Sequence, residues 1–217
     1  MIVAKGIVKK YGNLNVLKGV DITISKGEIV AITGKSGAGK STLLHILGTL
    51  DQADAGSLFF QDKDIRTLNN QEIAKFRNSE IGFVFQFHYL LPEFTALENV
   101  CMPALIAKKS ENEVIKEAKI LLDYLGLSDR MYHKPGALSG GEQQRVSVAR
   151  SLINRPSVIF ADEPSGNLDI QSSQDLHSLL FKLRNDFNQT FVLVTHNTEL
   201  AAMSDRCLEM RDGVIIS

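Results

Sequence analysis

The stretch GKSGAGKST, from Gly34 through Lys35, Ser36, Gly37, Ala38, Gly39, Lys40 and Ser41 to Thr42, gathers the residue types that hold phosphate. It comes after the apolar run EIVAIT and leads into STLLHILGTL, so a strand, a loop and a helix are expected in that order. Gly34, Gly37 and Gly39 allow a tight turn with backbone N–H groups directed inward, and the helix after them presents its positive end. Lys40 then has the reach for β- and γ-phosphates, and the Ser41 hydroxyl suits Mg²⁺. A glycine-rich turn that merely precedes a helix is the alternative, and the strand-loop-helix context argues against it.

A second constellation is SVIFADEP, in which an apolar run ends in Asp162 and Glu163. Open α/β sheets bind ligands at such carboxyl ends. Neighbouring residues on a strand point to opposite sides, so the two carboxylates are expected to do different work. Asp162 would back a Mg²⁺ ion from one layer out, and Glu163 would orient and polarise an attacking water. A third is LSGGEQQR, where Ser139 and, three residues on, Glu142 form a capping box that opens a helix. Capping leaves Gly140 and Gly141 unexplained: glycine weakens a first helical turn but bares N–H groups to an anion, so a second phosphate-binding helix end is expected.

Together, the phosphate loop, LSGGEQQR, the strand ending in Asp-Glu and a later strand ending in His196 resemble the ATP-binding subunits of ABC transporters over the whole chain. The resemblance implies ATP and Mg²⁺ as ligands and a homodimer closed around two ATP molecules, with Ser139, Gly140 and Gly141 acting on the partner's nucleotide. It further implies that Tyr11 stacks on adenine, that Gln86 senses Mg²⁺ and the attacking water, and that His196 contacts the γ-phosphate and holds Glu163. The segment GNLD, Gly166 to Asp169, resembles the loop that links the two sites. Asn197 departs from the pattern, since many relatives carry Asp there. Taken singly, Tyr11 and Gln86 read as packing and loop residues.

Residues 86–109, QFHYLLPEFTALENVCMPALIAKK, lie where this family docks the coupling helix of its membrane partner. Phe87, Tyr89, Leu90, Leu91 and Phe94 supply more apolar surface than a loop needs. The stretch resembles the subgroup that serves lipoprotein release, which implies two integral permease subunits. Related subunits serve export or regulate cell-wall hydrolysis. A nucleotide-gated binding module without useful turnover is the reading from another class, and Glu163 argues against it. No NKxD-type base-reading motif for a GTPase occurs.

The elements that must position these groups emerge from patterning. Short β-favouring runs from Ile2 to Ile32 and SLFF at 57–60 suggest an N-terminal antiparallel region. IGFVF, SVIFAD and TFVLVT are nearly all apolar, as strands of a parallel sheet covered on both faces are. Between residues 86 and 156 the period becomes helical, with candidates at 96–108, 112–125 and 139–154. The expected architecture is α/β, a P-loop NTPase (RecA-like) core. Residues 1–85 and 157–217 would form that core with its β subdomain, and residues 86–156 an inserted helical subdomain, within one ABC ATPase domain over 1–217.

The 217 residues carry 24 basic and 25 acidic side chains, so no global field draws the chain to nucleic acid. Cys101 and Cys207 are far apart and read as two buried thiols rather than a disulfide or zinc site. The N-terminus has charges where a signal peptide has its apolar core, and no apolar run approaches the ~20 residues of a membrane span. A cytosolic chain, peripheral to the inner membrane at its cytoplasmic face, is the expectation.

Overall fold

The computed structural model describes residues 1–216. In chain order the strands and α-helices are β1 (Ile2–Tyr11), β2 (Leu14–Ile24), β3 (Ile29–Thr33), α1 (Lys40–Leu47), β4 (Ala55–Phe60), β5 (Lys63–Asp64), α2 (Asn70–Glu80), β6 (Ile81–Phe85), α3 (Ala96–Ile106), α4 (Glu111–Tyr124), α5 (Gly140–Leu152), β7 (Val158–Asp162), α6 (Ile170–Phe187), β8 (Thr190–Val194), α7 (Thr198–Met203), β9 (Arg206–Arg211) and β10 (Val214–Ile215). One sheet has four strands in the order β2-β1-β4-β5, all pairs antiparallel. The other has six in the order β10-β9-β3-β8-β7-β6, parallel except for β10 at the edge.

The continuous apolar runs have their reason in two hydrophobic clusters, one on each face of the six-stranded sheet. Along β7, Ile159 and Ala161 join a cluster with α3, α4, α5 and α6, whereas Val158 and Phe160 join one with α1 and the antiparallel sheet. A strand buried on both faces has no polar side to alternate with. Burial of this apolar area, at about 25 cal/mol per Å² removed from water, is what opposes the ordering of the chain.

Several elements lie outside the runs legible in sequence. Helix α2 buries no residue fully and sets only Ile73 and Phe76 against the core, so its apolar stripe is short, and its start is fixed by a capping box in which the Asn69 side chain accepts from Gln71 N and Glu72 N. Strand β9, RCLEMR, is mostly exposed. It carries Cys207, which is therefore an exposed thiol rather than the expected buried one; Cys101 is buried. The helix expected over 96–108 ends at Ile106, because Lys108 turns to φ 60°.

Residues 86–95 are irregular yet firmly mounted. Asn99, buried on α3, accepts the Leu91 N–H at 2.8 Å, and its amide nitrogen is within 3.1 Å of the carbonyls of Leu91, Phe94 and Thr95. One side chain thus partners the Leu91 N–H and the Leu91 and Phe94 carbonyls, backbone groups that no sheet or helix reaches. Replacing it with an apolar isostere strands them. Asn99→Leu is expected to lower stability by about 1–3 kcal/mol and to accelerate hydrogen exchange at the Leu91 amide; wild-type exchange there would show that the loop is held by other means.

Candidate active site

In the six-stranded sheet Phe85 pairs with Asp162, Asp162 with Val194 and Val194 with Ile32. The carboxyl ends of β6, β7, β8 and β3 are therefore level, so the residues just beyond each strand meet those beyond its neighbours. Gln86, Glu163, His196 and the loop at 34–39 occupy these positions. They border one cleft of about 650 Å³, whose lining includes Tyr11, Gly34, Ser36, Gly37, Gly39, Lys40, Ser41, Thr42, Gln86, Glu163 and His196. A groove of about 530 Å³ lined by Lys26, Pro156, Ser157 and Gln189 lies at the opposite strand ends and contains neither the loop nor the acidic pair.

The loop needs its glycines. Gly34 has φ 139°, and a Cβ there would lie 2.1 Å from the Met210 carbonyl oxygen; Gly39, the N-cap of α1, has φ 103°. Lys40 Nζ donates to the carbonyls of Gly34 at 2.8 Å and Lys35 at 3.0 Å, so the ammonium lies over the loop that precedes it. Lys35, Ser36 and Ala38 complete the turn, with Ala38 N donating to Lys35 O at 3.2 Å.

Asp162 accepts from Ser41 Oγ at 3.1 Å. Burial pushes its carboxyl above the ordinary value, opposed by the Ser41 hydrogen bond. Glu163 has left the strand: its φ is 47°, its N–H donates to Val194 O at 2.8 Å, and its Oε2 lies 2.8 Å from His196 Nδ1 and accepts from His196 N at 3.2 Å. The two carboxylates take different partners, Ser41 and His196, and a left-handed turn after β7 rather than strand alternation gives Glu163 its direction.

Tyr11 is half exposed at the cleft's rim, its hydroxyl donating to Asp51 at 2.5 Å and Lys9 Nζ lying 5.1 Å from its ring centroid. Gln86 makes a reciprocal pair with Asn167 of the GNLD segment: Gln86 Nε2 donates to Asn167 Oδ1 at 3.0 Å, and Asn167 Nδ2 to Gln86 O at 3.2 Å. Asp169 caps α6 through Ser172 N at 2.9 Å. Asn197 caps α7, accepting from Leu200 N at 2.8 Å, work that Asp would do equally.

Ser139, Gly140 and Gly141 are not brought to this cleft. They open α5 in the expected capping box, Ser139 Oγ accepting from Glu142 N at 3.2 Å and Ser139 N donating to Glu142 Oε2 at 2.8 Å.

Residues 17–166 match the family described as ABC transporter. The chain belongs to that family. It carries the family's ATPase cassette, and full-length relatives agree. It is 58% identical over 213 residues to the lipoprotein-releasing system ATP-binding protein LolD of Cytophaga hutchinsonii, covering 98% of this chain and 97% of that protein. With LolD of Porphyromonas gingivalis it shares 58% over 217 residues, 100% of this chain and 99% of the relative. Among solved structures, the cassette superposes on the dimeric bacterial ABC transporter cassette MJ0796 with a TM-score of 0.91 and 39% identity, covering 100% of this chain and 97% of that one. A dimeric post-hydrolysis state of MJ0796 bound to ADP and Pi matches with a TM-score of 0.90.

Some groups that shape the cassette's site were given no role by the sequence motifs. Asp51 and Lys9, 2.7 Å apart, brace Tyr11. Arg150 on α5 donates to the carbonyls of His88 at 2.8 Å and Tyr89 at 2.7 Å, and Gln144 is fully buried beside them. Gln144 was discoverable: helical spacing from Gly141 to Val148 puts it on the buried face, where an amide needs partners.

A carboxyl whose folded pKa is raised binds a proton more readily in the fold than in the unfolded chain. Its charge therefore costs stability in full above the folded pKa, and the cost vanishes as pH falls through it. Asp162→Asn is expected to raise the melting temperature of the protein at neutral pH without nucleotide, with the gain shrinking as the pH is lowered. An unchanged or lower melting temperature at pH 7 would contradict this role of burial at Asp162.

Proposed function

We propose that this chain is the ATP-hydrolysing subunit of a lipoprotein-releasing transporter. It would work as a homodimer at the cytoplasmic face of the inner membrane with two integral permeases of the LolC and LolE kind. The observation that carries the hydrolytic part is the Glu163 carboxylate, held by His196 beside the phosphate loop and apart from Asp162. The lipoprotein part rests on full-length similarity to proteins named LolD.

In this reading the N–H groups of the loop and of the start of α1 bind the phosphates. Lys40 exchanges the carbonyls of Gly34 and Lys35 for β- and γ-phosphate oxygens, and Tyr11 takes the adenine on its ring. Ser41 Oγ, Asp162 and the Gln86 side-chain oxygen are hard donors suited to Mg²⁺, with Ser41 and Gln86 as direct ligands and Asp162 one layer out. Mg²⁺, when bound with ATP, neutralises charge on the phosphate oxygens. Glu163 accepts a proton from the attacking water, and His196 keeps the carboxylate aimed and reaches the γ-phosphate. Ser139, Gly140 and Gly141 close on the nucleotide of the second copy, and the GNLD segment carries the state of one site to the other.

Residues 86–156 would act as the helical subdomain of this single cassette, and the rest as its nucleotide-binding core. The coupling surface would be the stretch from Gln86 to Lys109. Phe87 and Tyr89 are 63% and 65% exposed, and Leu91, Phe94 and Ile106 are exposed nearby. Among the described residues no helix is long and apolar enough to cross a membrane, so in this reading the aromatic stretch is covered by a permease.

Glu163→Gln is expected to bind ATP, accumulate a closed dimer on gel filtration and lose turnover by about 10²–10⁴-fold; turnover at the wild-type rate would remove Glu163 from its role. Lys40→Ala is expected to lose ATP binding in a filter or fluorescence assay. Affinity copurification from native membranes should return two LolC/LolE-like permeases. Recovery of a single unrelated membrane protein would keep the ATPase and replace its cargo.

A further inference from the structure

Gln144 on α5 is fully buried and uses both ends of its amide. Nε2 donates to the Pro164 carbonyl at 2.6 Å and the Phe85 carbonyl at 3.3 Å. Two carbonyl acceptors fix that end as the NH₂, which turns Oε1 to His88 Nδ1 and places the imidazole proton on Nδ1.

These partners belong to separate working parts. Phe85 ends β6, one residue before Gln86. His88 lies in the stretch whose aromatics face outward. Pro164 comes directly after Glu163, whose φ of 47° is one that a non-glycine residue keeps only where its surroundings enforce it. Within the turn, Gly166 N donates to Glu163 O at 3.0 Å, and from α6 the His177 imidazole Nε2 lies 3.1 Å from Ser165 Oγ. Gln144 is the side chain that grips the Pro164 carbonyl from α5, the helix whose first residues are Gly140 and Gly141.

A buried amide could be there for packing alone. Packing alone would be served by an apolar side chain of the same length, with no call for two carbonyls and an imidazole from three segments to converge on one group. We propose that Gln144 is a positioning residue for hydrolysis, holding the Glu163 turn and the end of β6 in register with α5. This rests on the reading of Glu163 as the water-activating group; Gln144 itself touches neither nucleotide nor water.

The test is steady-state ATP hydrolysis by the purified transporter complex carrying wild-type chain, Gln144→Met, His88→Phe or Glu163→Gln, with melting temperature measured alongside. Met matches Gln in length and lacks the amide. Loss of a buried hydrogen bond in the reacting state predicts kcat down about tenfold for Gln144→Met with KM for ATP unchanged. His88→Phe, which loses only the acceptor end, should fall less, by about threefold. A folded Gln144→Met with wild-type kcat, or one whose KM rises in step with the loss, overturns the proposal. If Gln144→Met does not fold, His88→Phe decides: reduced kcat at constant KM supports the proposal, and wild-type kcat overturns it. Wild-type turnover by Glu163→Gln would sink the role of Glu163, an outcome read separately from either variant.

Discussion

Parallel pairing of β3, β8, β7 and β6 brings Ile32, Val194, Asp162 and Phe85 to the same level, and a group of the site lies within two residues beyond each of them. A slip of one residue would reverse the side chains of a whole strand. It would exchange Ile159 and Ala161 for Val158 and Phe160 between the two hydrophobic clusters. The register that fills both clusters is thus the register that assembles the cleft, and no separate device is needed to align four distant segments.

The site is costly where it is charged. Asp162 keeps a carboxyl in a partly buried position against the effect of desolvation, and Glu163 keeps a left-handed backbone. Both are offset locally: Asp162 by the Ser41 hydroxyl, and Glu163 by Val194 O, His196 and the braced turn at Pro164. Such costs persist where a rigid sheet and two packed helices over-determine the backbone.

A similar division holds for the outward-facing stretch. Its apolar side chains are exposed, yet its backbone is tied to polar side chains of the helices beneath, Asn99 from α3 and Arg150 from α5. An apolar surface on a fixed backbone can take a load from a partner without giving way, and the same α5 carries Gly140 and Gly141 at its start. In the proposed reading, motion at the membrane and motion at a second nucleotide site would therefore be motions of one body.

Much of this was legible in the sequence by itself. The glycines of 34–39, the capping box at Ser139 and Glu142, and the apolar strands ending in acid or histidine are local patterns with local causes, and LSGGEQQR with the phosphate loop pointed to the family. Tertiary structure decided the rest. Strand alternation was the wrong reason for parting Asp162 from Glu163, because a positive φ depends on what grips the turn. Cys207 is exposed because β9, the strand beside the β10 edge, leaves most of its side chains uncovered, which composition does not record. Helix α2 has only Ile73 and Phe76 as an apolar stripe to announce it, and Asp51, Gln144 and Asn167 reach partners 20 to 81 residues away. Local patterns determine which groups the chain can offer, whereas a buried polar group takes its meaning from partners that only the folded chain brings within hydrogen-bond reach.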